Sequence, residues 1–184
     1  IRIEATVALA TCPGDDEFSG SSLASKWTVV REDPAFMNVS GGSLNITSQN
    51  FDIHGGGTGL RNIVHQPLPA SGPWTAIIRA NWDPTTNYNN AGLMVYGDDG
   101  NFIKAGMVWS GGRRFEAFKE LNNTPTGLGS ATGVLPAAFP STWYLRLQSD
   151  GNTIQPAYSA DGQTWTNYGA TTNLTSIPAP KIGV

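Results

Sequence analysis

The chain has 184 residues, and only 14% of them are charged, against about 25% in an ordinary soluble domain. Its formal net charge is −3, which argues against a nucleic-acid face, since such a face needs clustered Lys and Arg to neutralise phosphates. No apolar run approaches the roughly 18 residues that a membrane-spanning helix requires, and the length suits one domain able to bury a core without disulfides.

In chain order, strand signals recur at short intervals. Residues 1–14 read as an N-terminal segment, either a linker or an edge strand, and 15–184 as the folded domain. Ser22 to Lys26 is the longest helical candidate, one turn at most. Trp27–Val30 and Ser43–Thr47 are short, β-branched and bounded by Gly or Pro, and Gly41-Gly42 can supply the positive φ of a tight hairpin. Arg61–Gln66 stops at Pro67, where a ladder loses a donor. Trp74–Ala80, Ala91–Tyr96 and Asn101–Val108 follow in meander order, the last two joined through Asp98-Asp99-Gly100.

Phe115–Leu121 pairs back across Ser110–Arg113, and a pairing of Trp109 with Arg114 would set Lys104 against Lys119. A one-residue bulge would change every partner. Trp143–Gln148 alternates cleanly, with Trp143, Leu145 and Leu147 on one face and Tyr144, Arg146 and Gln148 on the other. Asp150-Gly151 and Asp161-Gly162 are turns, and Lys181–Val184 opens a further strand. That strand is either completed in a longer parent or replaced by Ile1–Ala8. Many short strands between Gly-rich turns predict an all-β, two-sheet antiparallel sandwich of jelly-roll type.

The chain opens on Ile with no leader, the pattern of a mature product or an excised piece. Cys12 is the single cysteine and reads as inert or as half of a bridge to a segment outside this chain. Four sequons, at Asn38, Asn45, Asn122 and Asn173, matter only in a secreting eukaryote. Scarce Lys, at four positions, and abundant uncharged polar residues fit a secreted, extracellular protein.

Asp16–Leu23, then Trp27, then Gly42–Ile46 resembles the entry to concanavalin A-like sandwich domains. These are the domains appended to family-43 β-xylosidases and arabinofuranosidases, with the related DUF1349 domains. Ala91–Tyr96, Asn101–Gly106, Trp143–Leu147 and Lys181–Val184 continue the likeness in order over nearly the whole chain. Tyr158–Trp165 resembles the Asp-box hairpin, in which Asp161 would accept turn amides and Trp165 would pack beneath. The resemblance implies a sandwich with one concave face, found beside catalytic domains in extracellular polysaccharide-degrading enzymes. Set against the family pattern, a final strand and a catalytic domain are expected to belong to a longer parent protein.

A glycosidase needs two carboxylates facing each other across a sugar. The Glu-x-Asp-x-x-Glu run of glucanases sharing this fold is absent. Glu116 and Glu120, about 13 Å apart at Cα on an extended strand, are the nearest approach to a catalytic pair. Two histidines are too few for a three-His metal site, and Gly55–Gly59 lacks the Lys-Ser and helix of a phosphate loop.

Sugar binding calls instead for aromatic faces beside planar polar groups. Trp27, Trp74, Trp143 and Trp165 fall at buried-looking positions, whereas Trp82, Tyr88 and Trp109 lie at strand ends or in loops. Asp52 and His54 join an acceptor to an imidazole beside flexible glycines, Thr85–Asn90 forms a polar loop around Tyr88, and Arg79, Lys104 and Glu116 add charged hydrogen-bonding groups. The ligand-binding expectation is therefore Asp52, His54, Arg79, Trp82, Tyr88, Asn90, Lys104, Trp109 and Glu116. A structural Ca²⁺ would seek Asp15, Asp16 and Glu17, or Asp98, Asp99 and Asn101; no other cofactor is expected.

The leading expectation is a non-catalytic module that binds an oligo- or polysaccharide and serves a catalytic domain of its parent protein. Its rivals are a glycosidase or lyase using Glu116, Glu120, Asp52 or His54, and an accessory domain that completes a neighbouring glycosidase's site.

Overall fold

The computed structural model describes the backbone of residues 2–4 and all of residues 14–129 and 131–184; Cys12 lies outside them. The described residues form two antiparallel sheets packed face to face and contain no helix, and Ser22–Lys26 is bend and turn. The strands are β1 (Arg2–Glu4), β2 (Thr28–Val30), β3 (Met37–Val39), β4 (Leu44–Ile46) and β5 (Ile63–Pro67). Next come β6 (Trp74–Asn81), β7 (Asn90–Asp98), β8 (Asn101–Trp109), β9 (Arg113–Leu121) and β10 (Thr124–Gly127). The chain finishes with β11 (Thr142–Ser149), β12 (Thr153–Ser159), β13 (Thr166–Asn167), β14 (Thr172–Asn173) and β15 (Lys181–Gly183).

One sheet runs β13-β12-β11-β6-β1-β4-β3, with β14 also paired to β12. The other runs β10-β9-β8-β7-β15-β5-β2. Strand β1 lies between β4 and β6, and β15 lies between β5 and β7.

Period-two alternation decides what each strand buries. Trp143, Leu145 and Leu147 of β11 are fully buried, as the alternation predicts. They meet Leu93 and Val95 of β7, Ile103, Ala105 and Met107 of β8, and Phe115 and Ala117 of β9. Phe115 is the aromatic hub: it stacks on Tyr158 with centroids 4.4 Å apart and meets the edge of Trp143 at 5.4 Å. Such pairs contribute roughly 0.5–1.5 kcal/mol beyond their buried area.

The β8–β9 register differs from the Trp109–Arg114 expectation. Trp109 opposes Arg113, so Lys104 opposes Phe118 rather than Lys119. The cause is the turn, where Gly111 and Gly112 both take positive φ and Ser110 donates its N–H to the Gly112 carbonyl. This closes a three-residue loop, a common hairpin length.

The turns flanking β12 use one device twice. Asp150 Oδ1 accepts the N–H groups of Asn152 and Thr153 at 2.8 and 2.7 Å, and Asp161 Oδ1 accepts those of Gln163 and Thr164, each at 2.8 Å. Each Asp is followed by Gly in positive φ, then by a Thr whose hydroxyl donates back to the carboxylate. These donors, led by the Thr153 and Thr164 amides, hold both carboxyls below the ordinary 3.8. The Asp161 hairpin is the Asp-box-like element of the sequence, and the Arg146 guanidinium lies 4.6 Å from the Trp165 ring.

Candidate functional site

The seven-stranded sheet has a second face, and the same alternation assigns it. Asn90, Gly92, Met94 and Tyr96 of β7 point away from the main core, as do Phe102, Lys104, Gly106 and Val108 of β8 and Glu116, Phe118 and Glu120 of β9. The connection from β4 to β5 roofs one end of this face. Its Ile53, only 1% exposed, packs with Ile63, Met94, Tyr96 and Phe102 in a separate core. The remainder of the face stays open as a groove of about 1170 Å³.

Glu120 ties the roof down. Its two carboxylate oxygens accept the N–H groups of Gly55 and Gly56 at 2.9 and 3.0 Å, and the residue is fully buried. Both glycines have positive φ, which is why this stretch is glycine. Asp52 Oδ1 accepts the amides of Ile53 and His54, and His54 stands edge-on to Phe118 at 5.1 Å. Nearby, Phe51 is 44% exposed and carries the Arg61 guanidinium 5.2 Å from its ring.

At the opposite rim is the loop before β7. Tyr88 is 82% exposed with φ of 67°, a left-handed conformation unusual for a bulky residue. Its N–H donates to the Trp109 carbonyl, and the Trp109 N–H donates to the Asn89 carbonyl. The backbone is thus pinned in this conformation, and Tyr88 stands exposed in the lining of the groove.

The floor is polar and sits over bare backbone. Gly92 and Gly106 face each other across β7 and β8. A Cβ on Gly92 would fall inside contact distance of the Ala105 carbonyl oxygen, and one on Gly106 would do the same at the Ala91 carbonyl oxygen. Because Gly106 has no side chain, Asn90 of β7 reaches across β8 and donates Nδ2–H to Glu116 Oε1 of β9 at 2.9 Å. Lys104 lies beside them, its ammonium 4.4 Å from the Phe118 ring centroid. Burial lowers the Lys104 pKa below 10.5, with Glu116 the largest opposing charge, followed by Asp52 and Glu120.

Of the residues expected from sequence, Asp52, His54, Tyr88, Asn90, Lys104 and Glu116 line this one groove. Three do not. Arg79 is on β6 of the other sheet, with a parity opposite to the core-facing Ile78 and Ala80. Trp82 packs against the main core, and its carbonyl accepts the Trp143 indole N–H at 3.0 Å. Trp109 shares the parity of core-facing Met107 and gives the groove only backbone support for Tyr88. Glu116 and Glu120 do share one face of β9, but Glu120 is occupied with the roof. Phe51 and the Gly92–Gly106 pair were absent from the sequence-based set. The glycine pair could have been found by counting equal distances outward from the Asp98–Gly100 turn.

For calcium, the Asp15–Glu17 cluster already carries a cation. Lys26 Nζ donates to the Asp15 carbonyl and lies 3.9 Å from Asp16 Oδ2. Asp16 also accepts the Phe18 amide and the Trp27 indole N–H, each at 2.7 Å. In the second cluster, Asp99 pairs with both Arg31 nitrogens at 2.8 Å, and Asp98 accepts Gly100 N–H and Asn101 Nδ2–H. Among the described residues, no group of three or more His, Cys, Asp or Glu is gathered as a candidate metal site.

Comparison with known proteins matches residues 15–180 to the family model described as the β-xylosidase C-terminal concanavalin A-like domain. The chain belongs to that family. Solved structures agree with this concanavalin A-like domain in fold. A GH43 protein from Bacillus licheniformis superimposes with a TM-score of 0.81 at 16% identity, covering 96% of this chain and 36% of its own. A xylan β-1,4-xylosidase from Bacillus halodurans gives 0.79 at 16% identity, covering 96% and 37%. A GH43 protein of a xyloglucan PUL from Bacteroides ovatus gives 0.77 at 20% identity, covering 97% and 36%. The domain therefore spans little more than a third of the length of these proteins. No curated protein matches the chain.

Proposed function

We propose that this domain is the non-catalytic carbohydrate-binding module of a secreted GH43-type glycosidase, and that it holds an oligo- or polysaccharide in the groove of its seven-stranded sheet. The observation that carries this reading is Tyr88. A phenol ring at 82% exposure, held in a left-handed backbone conformation beside a polar groove, costs stability and gives no packing in return. An aromatic face over a floor of Lys104, Asn90 and Glu116 suits a sugar ring, which is apolar on its C–H face and polar at its hydroxyls. Against cleavage stands the engagement of Glu120 by two loop amides, which leaves Glu116 without a second carboxylate on its strand to complete a pair.

Affinity electrophoresis across xylan, arabinan, galactan and β-glucans tests the proposal. Retardation on at least one glycan, lost in Tyr88→Ala, is expected. No retardation of the folded protein on any of them overturns it. The family match to a β-xylosidase C-terminal domain favours a second reading, an accessory domain that completes a neighbouring catalytic site. That reading predicts no affinity in isolation and glycosidase activity that rises when the catalytic domain is supplied.

A further inference from the structure

The groove floor holds an unbalanced pair of charged groups. Lys104 opposes Phe118 and Glu116 opposes Gly106, which makes Lys104 and Glu116 diagonal neighbours on one face, about 7–8 Å apart at Cα across the two strands. Lys104 Nζ makes no hydrogen bond to another described residue, and its contact is the Phe118 ring. Glu116 spends Oε1 on Asn90, while Oε2 makes no hydrogen bond to another described residue. The floor thus presents three N–H donors with no acceptor next to a carboxylate oxygen with no donor.

We propose that Lys104 and Glu116 form a subsite for the vicinal diol of one neutral sugar residue, with one hydroxyl accepting from Lys104 Nζ and its neighbour donating to Glu116 Oε2. This rests on the glycan-binding reading and narrows it to the ligand's chemistry. A lysine can only donate and an ionised carboxylate can only accept, whereas a hydroxyl does both. Two adjacent hydroxyls therefore satisfy both groups at once. A ligand carboxylate would satisfy Lys104 but face Glu116 and Asp52, and a ligand ammonium would meet the reverse mismatch. Asn90, reaching across Gly106, fixes the Glu116 carboxylate in place. Uronic acids are disfavoured and unsubstituted sugars are accepted.

The test uses the glycan retained in the panel above, together with a linkage pair. Internal residues of β-1,4-linked xylan and glucan keep adjacent free hydroxyls, and those of β-1,3-linked glucan do not. Retention on a β-1,4 chain and not on the β-1,3 chain is expected, as is loss of retention when the bound glycan is cleaved by periodate and reduced with borohydride. Lys104→Met and Glu116→Gln, each with its melting temperature measured, should weaken binding roughly tenfold or more, the effect of one charge-assisted hydrogen bond. Equal retention of both linkages, or of periodate-treated glycan, overturns the subsite even if both variants fail to fold. So does unchanged affinity in both variants while Tyr88→Ala loses binding, a result that leaves the broader reading intact. Retention of no glycan overturns both.

Discussion

Glu120→Gln separates an anchoring role for this carboxylate from a catalytic one. The wild-type side chain is fully buried and accepts Gly55 and Gly56 N–H at 2.9 and 3.0 Å. A glutamine keeps one acceptor oxygen but turns an NH₂ toward the second amide, so one charge-assisted bond becomes neutral and the other becomes a donor–donor contact. Hydrogen bonds to charged groups contribute about 1.5–3 kcal/mol, and the smaller desolvation cost of the amide offsets part of the loss, so a net destabilisation of about 2–3 kcal/mol is expected. At roughly 2–4 °C per kcal/mol for a chain of this size, the melting temperature should fall by about 4–12 °C. Differential scanning calorimetry reads that fall. Amide hydrogen exchange locates it, because Gly55 and Gly56 should lose protection while the β11–β12 ladder keeps its own. An unchanged melting temperature with unchanged exchange at both glycines refutes the anchor. Hydrolysis by the wild-type protein that vanishes in a folded Glu120→Gln would return the residue to catalysis.

Tyr88→Gly relieves a left-handed conformation worth about 1 kcal/mol, so the melting temperature should hold or rise while glycan retention falls; lower stability with full retention would contradict the role given to this ring. His65 has its pKa pushed below 6.5 by burial and then by the Lys181 charge. The unfolded chain therefore binds the proton more readily, so stability should decline as the pH falls through 6.5, and His65→Gln should flatten the slope in thermal melts. The Tyr168 hydroxyl is buried with no hydrogen-bond partner among the described residues. Tyr168→Phe should therefore be neutral or stabilising by up to about 1 kcal/mol in chemical denaturation, and a loss above that would reveal a partner for the hydroxyl.

The sandwich was legible because each strand carries its own alternation. Trp143, Leu145 and Leu147 declare a buried face without reference to any neighbour, and Asp161 announces a turn through backbone bonds that are local in sequence. The groove was only half legible. Lys104, Asn90 and Glu116 are chemically conspicuous, but their meeting depends on a register set by positive φ at Gly111 and Gly112, which a one-residue count missed. Arg79 and Trp82 lie outside the groove for a related reason. Parity tells which residues share a face of a strand, yet which face opens to the groove follows from the strand order of the two sheets. The roof was the least legible part, since Glu120 meets Gly55 across 65 positions of sequence.

The facing glycines of β7 and β8 set a limit on how this surface can diversify. Even a methyl group at Gly92 or Gly106 would strike the opposite backbone, so the middle of the platform is closed to point substitution. Change at this surface is left to the two bordering segments, one centred on Tyr88 and one on Phe51. Variation should concentrate there, and a library that randomises those segments would reshape the groove while leaving the platform itself untouched.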